Sequence, residues 1–124
     1  MGFLDKLFKF NRSEVRQPED LYDIIVTEDM ITVVAPSNET GQIRWTDINE
    51  IWFYNTDKGP IEPDVWLVLI GESGKCALPQ GNKIADEVYY TVSKYENFSY
   101  KNAIASATCT DNVQFLLWKR SDKL

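Results

Sequence analysis

The run 65–70, VWLVLI, is the most apolar stretch of the chain. It is short and rich in β-branched and aromatic residues, as strands are. Alternation along a strand turns Trp66, Val68 and Ile70 to one face and Val65, Leu67 and Leu69 to the other. Both faces are apolar, so the run is expected as a central strand covered on both sides. Whatever the chain folds into must pair strands on either side of it.

The flanking sequence supplies those strands. Apolar, β-branched runs occupy 21–27, 30–35, 42–46, 51–56, 75–79 and 113–118. Glu28-Asp29, PSNETG (36–41), GESG (71–74) and Asp111-Asn112 punctuate them as turns. Residues 47–50 are expected to interrupt regular pairing. Connections this tight suit antiparallel strands and leave no room for parallel crossovers. From residue 82 the apolar period changes to helical. Asn82 is a suitable N-cap, and Ile84, Val88, Val92 and Tyr95 share a face of a helix spanning 82–96. A second short helix is expected over 99–108 with Ser99 as its cap. The expected fold is α+β: a mainly antiparallel sheet of six or seven strands, with one or two helices packed on it near the C-terminus.

A chain of 124 residues suits one domain, placed at 21–124. Residues 1–20 read as an N-terminal amphipathic arm and linker. Phe3, Leu4, Leu7 and Phe8 stand at helical spacing there, and packing on the protein's own domain is favoured over contact with a membrane or partner. No secretory-signal pattern and no apolar run of membrane-spanning length occurs. Position 6 is Lys, where N-myristoylation favours Ser or Thr. A cytoplasmic location and no integral membrane segment are expected. Cys76 and Cys109 lie far apart and in no CxxC pair, so they read as two buried free thiols, or else as one disulfide.

The chain has no histidine, which removes histidine-based nucleophilic and acid–base catalysis and most transition-metal sites. No glycine-rich phosphate loop is present. The stretch NTDKGPIEPDVW (55–66) holds Asp57, Glu62 and Asp64, but its glycine falls at the wrong offset for a calcium loop. Glu62 and Asp64 resemble an acid–base pair only in composition, since such pairs need a deep cleft. The stretch reads first as a connection between strands. No enzymatic activity and no cofactor or metal is expected.

Charge is uneven along the chain. Residues 18–66 carry eleven acidic and two basic groups, whereas 1–17 carry two acidic and four basic ones. There is no basic stripe to displace counterions from phosphates, so no nucleic-acid partner is expected. An acidic surface favours encounter with a basic protein, besides keeping a small domain soluble.

Arg44-Trp45-Thr46-Asp47-Ile48, Thr56-Asp57-Lys58-Gly59-Pro60, Asp64-Val65-Trp66 and Pro79-Gln80-Gly81 form a pattern: Trp-x-Asp-aliphatic, Thr-Asp-x-Gly-Pro, Asp-Val-aromatic, Pro-Gln-Gly. In this, with the helix at 82–96 and the segment 114–120, the chain resembles a family of small bacterial proteins over about residues 42–120. It departs from that pattern at 97–100. Proteins of this type are similar to immunity proteins that neutralise bacterial toxins by covering the toxin's active site. The resemblance implies a non-catalytic binding protein whose partner is a toxin domain with a basic surface, such as a nuclease. The expected contact residues are Asp47, Glu50, Asp57, Glu62 and Asp64, with Trp52 and Tyr54 as aromatic anchors. Trp45, Trp66 and Trp118 are expected in the core. Trp52 competes with Phe53 for the inward side of one strand. The other reading is a cytoplasmic adaptor or scaffold without a toxin, joined to its partner through an exposed strand edge.

Overall fold

A computed structural model describes residues 18–57, 63–72 and 74–121. The N-terminal arm and Glu62 lie outside these residues. Seven antiparallel strands and two α-helices are present among them, so the α+β expectation holds, but the strands form two sheets and not one. Strands β1 (Asp23–Val26), β2 (Met30–Val34) and β3 (Thr40–Arg44) form a meander. Strands β4 (Ile48–Asn55), β5 (Val65–Gly71), β6 (Lys75–Pro79) and β7 (Val113–Lys119) form a second sheet in the order β6-β5-β4-β7.

The division is made at Trp45–Asp47, a 3₁₀ turn where the sequence suggested continued strand. The Trp45 amide donates to the Asp29 carbonyl (3.1 Å) and its indole Nε1 to the Thr27 carbonyl (2.9 Å). Both bonds hold Trp45 against the β1–β2 turn while the chain turns away to begin β4. Pairing is thus broken two residues earlier than expected. Of the interruption expected at 47–50, Asp47 lies in this turn and a register shift falls between Ile48 and Glu50.

Helices α1 (Lys83–Val92) and α2 (Tyr100–Ala107) follow β6. Asn82 caps α1, its Oδ1 accepting from the amides of Ile84 (2.9 Å) and Ala85 (3.3 Å), and Ser99 Oγ accepts from the Asn102 amide (3.1 Å) in α2. Satisfying free amide groups in this way is what makes Asn and Ser good first-turn residues. Helix α1 ends at Val92, short of the expected 96. Tyr95 therefore lies beyond it and meets the Trp118 ring edge-on at 5.1 Å.

The core lies on one face of the four-stranded sheet. Ile51, Phe53, Leu67, Leu69, Leu78 and Leu117 from that sheet meet Ile31, Val33 and Ile43 from the meander and Ala85, Val88, Val92 and Ala103 from the helices. Cross-strand pairs Ile51↔Leu69 and Phe53↔Leu67 run down its centre. Leu67 and Leu69 are fully buried; truncating either to Ala costs about 2–5 kcal/mol. The meander comes close to the edge strand β6 at Gly41, where a Cβ would stand 3.4 Å from the Lys75 carbonyl. Among the described residues no helix is long and apolar enough to cross a membrane.

Candidate functional site: the outer face of the four-stranded sheet

Strand alternation decides which side chains β4 presents. Ile51, Phe53 and Asn55 are buried on the core side, which turns Glu50, Trp52 and Tyr54 to the other face. Phe53 takes the inward position and Trp52 the outward one. The Trp52 indole Nε1 donates to Glu50 Oε1 at 2.9 Å. The Trp52 and Tyr54 rings meet edge-to-face, with centroids 6.3 Å apart, an arrangement favoured by the ring quadrupoles. The carboxylate and both rings thus constrain one another on a rigid central strand.

The neighbouring strands extend this surface. On β5, Ile70, Val68 and Trp66 stand opposite Glu50, Trp52 and Tyr54; on β7, Lys119, Leu116 and Gln114 do so. Val68 is only 2% exposed yet stands outside the main core cluster. Its partners in register are Trp52 and Ala77 on the flanking strands, and Trp66 and Ile70 share its face along β5. Both helices and the meander pack on the opposite face. The expectation that β5 is an inner strand is met; the helices and meander cover one of its faces, and among the described residues no helix or strand lies over the other. The expectation that Trp45, Trp66 and Trp118 are core residues is corrected. Trp45 and Trp118 are half-buried against the core, and Trp66 belongs to the outer face, where Tyr22 packs edge-on against it at 5.4 Å.

The structure gathers some of the expected contact residues and separates others. Glu50, Trp52 and Tyr54 are together. Asp47 precedes β4, half-buried in the 3₁₀ turn. Asp57 and Asp64 are exposed past the opposite end of β4, where the Thr56 amide donates to the Asp64 carbonyl (2.8 Å) and closes the base of the connection. An eight-residue strand is on the order of 25 Å long, so the carboxylates form two groups flanking an aromatic centre. Glu62 lies outside the described residues. Trp66, Val68, Ile70 and Leu116 were missing from the expected set. Their alternation was legible in VWLVLI, but nothing local said which of two apolar faces points outward.

A second concavity, of about 590 Å³, lies between Trp45, Tyr95, Trp118 and Arg120. Two of its polar side chains, those of Arg120 and Trp118, are bonded internally. Arg120 donates from Nε to Asn49 Oδ1 (3.1 Å) and from Nη2 to the carbonyls of Thr46 (3.1 Å) and Ile48 (2.5 Å), and the Trp118 indole donates to the Glu96 carbonyl (3.0 Å). The guanidinium pins the end of β7 to the start of β4. Cys76, buried beneath β3, has its thiol pushed up to about 12 by desolvation, and is a neutral packing group. Cys76 and Cys109 are both free. Among the described residues no three His, Cys, Asp or Glu side chains group as metal ligands. Asn55, the first residue of the stretch NTDKGPIEPDVW, is buried and bonded to α2.

No protein-family model, no curated protein and no solved structure matches the chain.

Proposed function

We propose that this chain is a non-catalytic, cytoplasmic binding protein that neutralises a bacterial toxin by covering the toxin's basic active site. The observation that carries the reading is the rigid Glu50–Trp52–Tyr54 surface on β4. Anchors with few rotatable bonds lose little entropy on binding, which is why Trp and Tyr dominate interface energetics. Exposed Asp57 and Asp64 at one end of that surface would raise the encounter rate with a cationic partner. The similarity of the sequence pattern to immunity proteins supplies the toxin.

The test begins with the neighbouring gene and co-expresses this chain with any toxin it encodes; a neighbourhood without a toxin rejects the reading. Protection by the native chain that is lost in Trp52→Ala, with the fold intact by circular dichroism, supports the reading. Growth arrest despite the native chain, or protection indifferent to Trp52, rejects it. Asp57→Lys with Asp64→Lys should slow association with the basic partner and flatten its salt dependence; unchanged salt dependence would remove the electrostatic component.

One observation favours the adaptor reading. Strand β1 is an edge of the meander, and its Ile25 and Val26 are 54% and 40% exposed. Such an edge accepts a strand from another protein. In that case Ile25→Lys, and not Trp52→Ala, abolishes binding.

A further inference from the structure

The outer face of the four-stranded sheet carries Trp52, Tyr54, Trp66, Val68, Ile70 and Leu116. We propose that its occupant is the N-terminal segment 2–10 of the same chain, with Phe3, Leu4, Leu7 and Phe8 seated on the Trp52–Trp66–Leu116 surface. The inference needs no external partner and does not rest on the toxin reading, although both concern the same surface.

Three observations converge on this occupant. The first is where the described chain begins. Pro18–Leu21 is a 3₁₀ turn held by Asn82, whose Nδ2 donates to the carbonyls of Glu19 (3.0 Å) and Tyr22 (3.2 Å). Tyr22 in turn packs on Trp66. The described chain therefore begins at the border of the apolar face. Residues 11–17 span at most about 25 Å when extended, more than the roughly 15 Å width of four paired strands. The second is shape and pattern. Nine residues at helical spacing make a segment of about 14 Å, too short to hold a helix in water by itself, so its apolar stripe needs a surface. The third is charge. Residues 1–17 have two basic groups in excess, whereas 18–66 are strongly acidic and place Glu50 on the face itself.

The four indole N–H groups provide the readout, since Trp52 and Trp66 lie on this face and Trp45 and Trp118 on the helix side. A nitroxide is attached at Asp5→Cys, opposite the apolar stripe, in full-length ¹⁵N-labelled protein carrying Cys109→Ser. The expected result is greater loss of indole signal at Trp52 and Trp66 than at Trp45 and Trp118. Intensity should return when Leu4→Glu and Leu7→Glu are added, substitutions that leave residues 18–121 untouched. Equal intensities at all four indoles, or stronger loss at Trp45 and Trp118, would overturn the proposal. So would loss that persists when the nitroxide and the ¹⁵N label are on different molecules, which would make the occupant a second copy.

Discussion

Asn55 on β4 and Ser106 on α2 are 51 positions apart in sequence and bonded in both directions. Ser106 Oγ donates to Asn55 Oδ1 at 2.6 Å, while Asn55 Nδ2 donates to the carbonyls of Ser106 (2.9 Å) and Cys109 (3.1 Å). Both side chains are nearly fully buried, at 4% and 2% exposure. The amide thus bonds the last turn of α2 to the sheet and adds a donor to the carbonyls at that helix end. Asn55→Ala strands the buried Ser106 hydroxyl and the Cys109 carbonyl, while the Ser106 carbonyl keeps the Cys109 amide (3.1 Å), and should cost about 1–3 kcal/mol by urea denaturation. Ser106→Ala removes one donor and should cost less. The double variant should lose less than the sum, because the two groups share a bond; strict additivity would show that the bond contributes nothing.

Asn82 has two separable tasks. Its Oδ1 caps α1, and its Nδ2 holds residues 19–22. Asn82→Ala abolishes both and should lower stability by about 1–2 kcal/mol from the cap alone. Asn82→Ser keeps a cap acceptor but no amide donor, and its urea midpoint should fall between those of Asn82→Ala and the native chain. Equal midpoints for the two variants would mean that the cap contributes no stability.

Gly71 ends β5 under the turn at Asp47. A Cβ there would lie 2.5 Å from the Asp47 carbonyl oxygen, a backbone atom that cannot rotate aside. Gly71→Ala should cost about 1–3 kcal/mol through forced backbone displacement. Gly41→Ala, whose nearest contact is 3.4 Å, should cost less. Thermal unfolding of the two variants gives the comparison.

Cys76 links stability to alkaline pH. Burial raises its folded pKa from 9.0 to about 12. Below pH 9 the thiol is neutral in both states, and its contribution is fully present. Between 9 and 12 the unfolded chain loses this proton and the folded one retains it, so the contribution declines as pH rises. Cys76→Ala should show a shallower alkaline loss of stability than the native chain in urea titrations across pH 8–11. In the folded protein Cys109 should react with a thiol reagent ahead of Cys76.

Much of the fold was legible locally. Lys75–Pro79 is the sixth strand as expected, Asn82 and Ser99 cap the helices, and VWLVLI is an inner strand. These features depend on side-chain branching, on alternation and on the free amides of a helix's first turn, all of which act within a few residues. The end of α1 was misjudged because Tyr95 continues the apolar period, although its ring is claimed by Trp118 from β7. The candidate surface was half legible: Glu50, Trp52 and Tyr54 share a face by period two, but their union with Trp66, Val68 and Leu116 requires the β4–β5 and β4–β7 registers.

The sequence by itself determined the kinds of element, their order and the chemistry excluded by a chain without histidine. Tertiary structure decided three things: that the seven strands of the described residues divide into two sheets, which face of β5 looks outward, and which tryptophans leave the core. The physical reason is common to all three. Period two states that a strand has two faces, but an apolar strand such as VWLVLI is equally content with either inward. The choice is made by partners distant in sequence: Trp45 bonded back to Thr27 and Asp29 to end the meander, and helices whose apolar stripes cover Leu67 and Leu69, leaving Trp66 and Val68 on the other side.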